Sequence, residues 1–355
     1  MIPQISPPDK VLRSALVLAA LSPLTAHAAD IDTSLGGFLK LQAEAFDPAR
    51  APIEGDGTRI DGELHLTVDG QTDTGVTYDG RLQLIRAAKP RDNGTFVEAG
   101  WAWGEFRLGD YGGAAKELAV SAPNIGIGQI DGDLDRFGAP SALMAPYALN
   151  NDDSTKITYL SPNVPGFRLG LSYAPELAGG GIEAVPERHL SGIDRQRNVT
   201  EFALDATRDI GDVTVNVGGA AVFGEALSGS HLHDLAGGSL GAKVAWDRLT
   251  VGGAFVYDGA NTLPVDPRPG HVDTESIVSE INLGATYDLA RWGFGLSWAH
   301  DYRKAEASTD LVAAGVVYRI ARGVTLGADL AHFSRPRGRG LVDGTALMVE
   351  TAVHF

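Results

Sequence analysis

Four short patterns in the 355-residue sequence hold residue types that could do chemistry. Gly237-Gly238-Ser239-Leu240-Gly241 fits G-x-S-x-G, a spacing that exposes a serine nucleophile on a sharp strand-to-helix turn. Here Ser239 opens an alternating strand, so the spacing lacks its setting. Asp131-x-Asp133-x-Asp135 begins like a calcium loop, which needs Gly at its sixth position and Glu at its twelfth; Arg136 and Ala142 stand there instead. His231-x-His233-Asp234 could offer imidazoles to a metal, but no further ligand accompanies them. Gly179-Gly180-Gly181 is not set between a strand and a helix, as a nucleotide-binding turn must be. The sequence has no cysteine, which removes thiolate zinc sites, cysteine nucleophiles and disulfide scaffolds. No catalytic residue, metal or cofactor is expected from these patterns.

Charge narrows the classes further. Lys and Arg total 29 against 45 Asp and Glu, a formal net charge of −16. Nucleic-acid binding needs a basic surface to meet phosphates, so it is not expected. A hydrophobic content of 44% is too high for general disorder. The mean hydropathy of −0.03 reads as that of a soluble protein, and the positional pattern contradicts it.

That pattern has a period of two. Arg59, Asp61, Glu63, His65 and Thr67 fall on one face of an extended segment, and Ile60, Leu64, Leu66 and Val68 on the other. Leu39, Leu41, Ala43 and Ala45 alternate with Lys40, Gln42 and Glu44, and Leu82 and Leu84 with Arg81 and Gln83. Ile281, Leu283, Ala285 and Tyr287 form another such face, and Leu347, Val349, Thr351, Val353 and Phe355 form the last. Connections alternate between tight turns (209–212, 247–248, 321–323) and long polar segments (47–58, 112–153, 175–197, 259–273). The reading is an all-β, antiparallel up-and-down transmembrane β-barrel of about sixteen strands, roughly 8–14 residues each. Fourteen or eighteen strands fit the periodicity as well. A soluble sandwich also alternates, but it would bury its aromatics mid-strand. Here Trp101, Trp103, Tyr159, Trp246, Tyr287, Trp292, Tyr318 and Phe355 gather near the short-turn rim. Phe46, Tyr173, Phe223, Tyr257 and Phe333 gather near the long-loop rim, as two membrane-interface girdles require. Most aromatics take lipid-facing parity, Phe96 and Phe106 being the exceptions. Gly100, Gly109, Gly170, Gly218, Gly219, Gly241, Gly252, Gly253, Gly284, Gly295, Gly315 and Gly327 lie inside strands, where glycine permits coiling and close approach by another segment.

The first 28 residues read as a secretory signal peptide: Lys10 and Arg13, an apolar run from Ala15 to Leu21, then Ala26-His27-Ala28. The run is too short to span a bilayer as a helix, which needs about 20 apolar residues. Cleavage after Ala28 leaves one domain, 29–355, and removal of Asp9, Lys10 and Arg13 takes the net charge from −16 to −17.

The signal peptide, the run Thr95-Phe96-Val97-Glu98-Ala99-Gly100-Trp101-Ala102-Trp103-Gly104-Glu105-Phe106-Arg107-Leu108-Gly109 and the terminal Phe355 together resemble the general porins of Gram-negative outer membranes, the alphaproteobacterial type above all. The resemblance covers 29–355 in architecture, with specific motifs only in that hairpin and the last strand. It implies sixteen strands, a homotrimer among outer-membrane lipids and lipopolysaccharide, insertion by the barrel machinery through Phe355, and a third loop folded into the lumen as its constriction. In that setting the polar face of every strand lines water. Asp131, Asp133 and Asp135 of the third loop are the expected constriction acids. Lys40, Arg59, Arg81 and Arg107 are the expected wall cations opposite them, with Arg86 and Lys89 able to join. Opposed charges across a narrow opening pass small polar solutes and resist apolar ones. The acidic excess predicts weak cation preference. The expected function is passive diffusion of small hydrophilic solutes and ions. The alternatives are a sugar-type specific channel, which would need an aromatic track down the lumen, and a barrel-borne enzyme, which would need an acid–base set at one level of the wall.

Overall fold

The computed structural model describes residues 28–46, 57–85, 95–130, 132, 154–177, 196–228, 234–259, 278–303, 308–337 and 340–355. The expected signal peptide lies outside them except for Ala28, where the first strand begins.

Sixteen antiparallel strands close into one barrel in sequence order. They are β1 (Ala28–Phe46), β2 (Gly57–Thr72), β3 (Thr77–Ile85), β4 (Thr95–Trp101), β5 (Gly104–Asp110), β6 (Thr155–Leu160), β7 (Phe167–Glu176) and β8 (Gln196–Ile210). There follow β9 (Val213–Ala226), β10 (Leu235–Trp246), β11 (Leu249–Gly259), β12 (Val278–Leu289), β13 (Trp292–Arg303), β14 (Thr309–Ala321), β15 (Val324–Arg337) and β16 (Gly340–His354). Among the described residues the one helix is α1 (Ala114–Glu117), in the third long loop. Strand length varies more than expected, from 6 residues in β6 to 19 in β1.

Each strand pairs with both neighbours, so no edge is left for lipid to solvate. The seam joins β1 to β16 from Phe38↔His354 to Phe46↔Ala346. Beyond it Gly37 and Phe355 exchange both backbone hydrogen bonds, at 2.9 and 3.1 Å. Short turns sit at one rim. Gly211 (φ 62°) and Asp247 (φ 50°) take left-handed conformations there, which match a two-residue hairpin to the twist of its strands.

Alternation decides the two faces. Leu39, Leu41, Ile60, Leu64, Leu66 and Leu82 are exposed on the outer surface, while Gln42, Glu44 and Asp61 of the opposite parity are buried inside. The same holds round to β16, where Leu347 and Val349 are exposed and Met348 is buried. An outer wall of bare aliphatic side chains is stable only against hydrocarbon. Trp103, Trp246, Tyr287, Trp292 and Phe355 are exposed toward the short-turn rim, and Tyr173, Phe223 and Tyr257 toward the other. The side chain of Phe46 lies outside the described residues.

Two aromatic assignments change. Phe333 shares the inward parity of Asp329; it is 1% exposed and packs with Ile130, Leu311 and Met348, so it belongs to the interior rather than to a girdle. Phe106 shares the outward parity of Leu108 and stacks edge-on to Trp103 at 5.5 Å and against Tyr159 at 5.0 Å, so it belongs to the girdle rather than to the lumen. Phe96 does face inward, and so does Phe38, which shares the parity of Lys40 and buried Gln42.

Candidate functional site

The described part of the third loop, 111–130, leaves β5 at its long-loop end and turns into the barrel. Its root is Tyr111. The guanidinium of Arg107 lies 4.8 Å from the Tyr111 ring and the ammonium of Lys156 lies 5.2 Å from it. Lys156 also donates to the Tyr111 carbonyl, and the Tyr111 hydroxyl donates to the Arg107 carbonyl at 3.1 Å. Burial pushes that hydroxyl above its ordinary range, so the ring stays neutral beside the two cations.

α1 follows at once. A helix start leaves backbone N–H groups without intrahelical partners, and Gly113 offers no side-chain cap. The wall supplies the acceptors. Ala114 N–H donates to Ser172 Oγ of β7 at 2.7 Å, and Ala115 N–H to Glu201 Oε2 of β8 at 2.9 Å.

The chain then crosses the inner wall strand by strand. Val120 lies over Gly218 of β9 and Gly241 of β10. Ala122 N–H donates to Asn282 Oδ1 of β12 at 3.0 Å. Ile125 lies against Gly293 and Gly295 of β13. At the far end the Asp329 carboxylate of β15 accepts from Ile127 N–H, from Gly128 N–H at 2.9 Å and from the Gln129 amide at 3.5 Å. The turn is closed on itself by Asn124, whose amide donates to the Ile130 carbonyl, and by Gln129, whose Oε1 accepts from Ile125 N–H at 3.2 Å.

This course overturns one expectation. The inner face is not wet on every strand. Ala174, Leu177, Val199, Val222, Leu235 and Val256 form an apolar cluster with Ala115 of α1. Leu311, Phe333, Met348 and neighbouring alanines form another with Ile127 and Ile130. From β7 to β15 the upper inner wall is thus a seat for the loop, and at the level of the loop the charged wall left uncovered is that of β1 to β5.

On that wall Lys40, Arg59, Arg81 and Arg107 all take inward parity, but acids accompany them. The Lys40 ammonium is 5.0 Å from the Phe38 ring. Arg59 lies 3.7 Å from Asp61. Arg81 donates to His65 Nδ1 at 2.5 Å, and His65 Nε2 donates to Glu63 at 2.9 Å, a tautomer fixed by those partners. Arg107 is the most committed: its Nε donates to Glu98 at 2.6 Å, its Nη1 is 3.4 Å from Glu117, and the Phe96 ring lies 4.7 Å away. Only 16% of its side chain is exposed, so it grips the loop root more than it lines an opening.

Asp131, Asp133 and Asp135 lie outside the described residues, as do Arg86, Lys89, His231, His233 and 179–181. The loop acid that meets a wall cation among the described residues is Glu117, which the sequence reading did not single out; lying in the expected loop near a lone Lys116, it carried no signal beyond its position. A second feature was also missed. Asp32, Asp69, Asp79 and Glu98 line a cavity at the short-turn end, and Glu105, near it, lies 3.5 Å from Arg168. Their parity was legible; their convergence needed the register. Ser239 sits within continuous ladders to Ala220 and Val256, with no turn or helix to make it an elbow.

A closed sixteen-stranded barrel with a lipid-facing outside, a charged inner wall and a loop laid along that wall is a transmembrane pore. The sequence matches the Gram-negative porin family over residues 14–337, and the chain belongs to that family: it is an outer-membrane porin channel. Solved structures share the fold at low identity. A porin refined at 1.8 Å resolution has a TM-score of 0.61 and 15% identity, covering 91% of this chain and 100% of that one. An anion-selective porin from Comamonas acidovorans has a TM-score of 0.60 and 15% identity, covering 92% and 100%. OmpT of Vibrio cholerae, in a trimer form, has a TM-score of 0.60 and 11% identity, covering 92% and 99%. Among curated proteins none matches.

Proposed function

We propose that this porin is a general diffusion channel for small hydrophilic solutes and ions, with weak cation preference and no catalytic activity. The observation that carries the reading is the free lumen wall of β1 to β5, where charged side chains of both signs replace an aromatic track. Phe96 and Phe38 face inward there, but Arg107 lies over the one ring and Lys40 over the other. The preference is assigned to the acids at the short-turn mouth and to the overall excess of acid. The fold does not dictate it, since a barrel of like architecture is described as anion-selective. Asp131, Asp133 and Asp135 remain the proposed acids of the constriction, with Lys40, Arg59 and Arg81 the wall cations opposite. The decisive measurement is the reversal potential across a planar bilayer in a KCl gradient. A cation-sign potential and an ohmic conductance unblocked by sugars support the reading; an anion-sign potential or saturable sugar block overturns it.

The working unit in this reading is a homotrimer, joined through the outer face of β15, β16, β1 and β2. Outward positions of that arc carry aliphatic and small residues, such as Leu39, Leu41, Leu64 and Leu330, and no aromatic before Phe355. His332 and Thr345 bond each other on the same face at 3.0 Å, a polar pair better suited to protein than to hydrocarbon. Elsewhere the girdles face outer-membrane lipid and lipopolysaccharide. Phe355, 65% exposed, is the proposed handle for the insertion machinery. Residues 1–28 are the proposed export signal, removed to leave 29–355.

A further inference from the structure

We propose that glycines on the inner faces of β9, β10, β12 and β13 are positioning residues that set the free cross-section of this channel, although none of them lines the opening. In a strand, inward side chains stand roughly perpendicular to the wall. An inward glycine therefore leaves a recess about one methyl deep, and the third loop lies in a row of such recesses. A Cβ at Gly218 would sit 2.6 Å from Val120 Cγ2 and 3.0 Å from the Leu118 carbonyl. One at Gly284 would sit 2.7 Å from the Pro123 carbonyl. One at Gly295 would sit 2.7 Å from both Ile125 Cγ2 and Gln129 Oε1. At Gly241 it would overlap the Val120 carbonyl. Every one of these atoms belongs to the loop.

Glycines of outward parity on the same strands behave differently. A Cβ at Gly219 would meet the Ser239 carbonyl at 3.2 Å, and one at Gly238 the Ala220 carbonyl at 2.9 Å; both are atoms of the sheet. The recesses are thus specific to the face the loop covers.

The described stretch of the loop, 111–130, is held at both ends, by Tyr111 between Arg107 and Lys156 and by Asp329 on the turn 124–130. The wall beneath its middle is hydrogen-bonded on both sides of every strand. A methyl group placed in a recess must therefore displace the loop rather than the wall. With its ends fixed, the loop bows toward the axis and the opening shrinks.

The test is single-channel conductance and liposome swelling with sugars of increasing size on Gly218→Ala, with heat-modifiable gel mobility reporting the folded barrel. Gly218→Ala is expected to lose conductance and to exclude smaller sugars than the parent does. Val120→Ala in the same chain removes the obstructing Cγ2 and is expected to restore most of the loss. Gly80→Ala, on the outer face with its nearest atoms 3.9 Å away, is expected to change neither readout. Should Gly218→Ala not fold, Gly295→Ala with and without Ile125→Ala asks the same question. Folded variants with parental conductance would overturn the proposal. So would a loss that the partner substitution fails to relieve, or a rise in conductance, which would mean that the loop lifts free.

Discussion

Arg107 illustrates how parity places a side chain while its partners define what it does. It faces the lumen as its parity demands, yet Glu98, Glu117, Phe96 and Tyr111 enclose it. Truncating one partner of such a set leaves the others desolvated and unpaired, at about 1–3 kcal/mol for a buried polar group. Arg107→Ala is therefore expected to lower the unfolding midpoint in lipid and to add closing events to the single-channel record, because the loop root loosens. Asp329→Ala acts at the opposite end. It strands the N–H groups of Ile127 and Gly128, and the expected outcome is excess open-channel noise with the barrel still heat-modifiable. Phe333→Ala is expected to cost about 3–5 kcal/mol, the usual range for emptying a packed aromatic site. A girdle residue at that position would lose far less, so urea unfolding of this variant checks the inward placement directly.

At the scale of elements, what was legible in the sequence is what repeats. The alternation in 59–68 gave β2 its faces, the tight turns at 209–212 and 247–248 gave two hairpins, and the long segment at 112–153 gave the third loop. The exposed and buried sets of β2 follow that parity: Ile60 and Leu64 lie outside and Asp61 inside. What was not legible depends on which residues of distant strands stand side by side. The loop's seat is assembled from Gly218, Gly241, Gly284 and Gly295 on four strands, and no local window holds more than one strand's share. The placement of Phe333 was readable from its parity with Asp329; a reading by distance from the rim alone assigned it to the wrong face. Glu117 was unreadable as a partner of Arg107, because the pairing depends on how α1 is seated against β7 and β8.

At the scale of the whole molecule, charge and shape act together. In the proposed reading, a mouth lined by Asp32, Asp69, Asp79 and Glu98 is expected to enrich cations over a distance set by screening, about 10 Å at 0.1 M salt and about 3 Å at 1 M. The reversal potential is thus expected to shrink toward zero when the same concentration ratio is applied at molar KCl; a preference that survives high salt would place selectivity in close contacts instead. If the trimer uses the β15–β2 arc, Leu64→Arg is expected to shift the native gel band from trimer to monomer, while an equivalent charge at Leu240 on β10 leaves the trimer and impairs membrane insertion. The loop laid across β7 to β15 has one more consequence. The width of a closed sheet comes in steps, fixed by strand number and stagger, whereas the depth at which a loop lies is not stepped at all. Permeability here is a continuous variable carried on a discrete frame. Exchanging a few buried atoms beneath the loop retunes what crosses the membrane while the lipid-facing surface, the seam and the assembly keep the form they had.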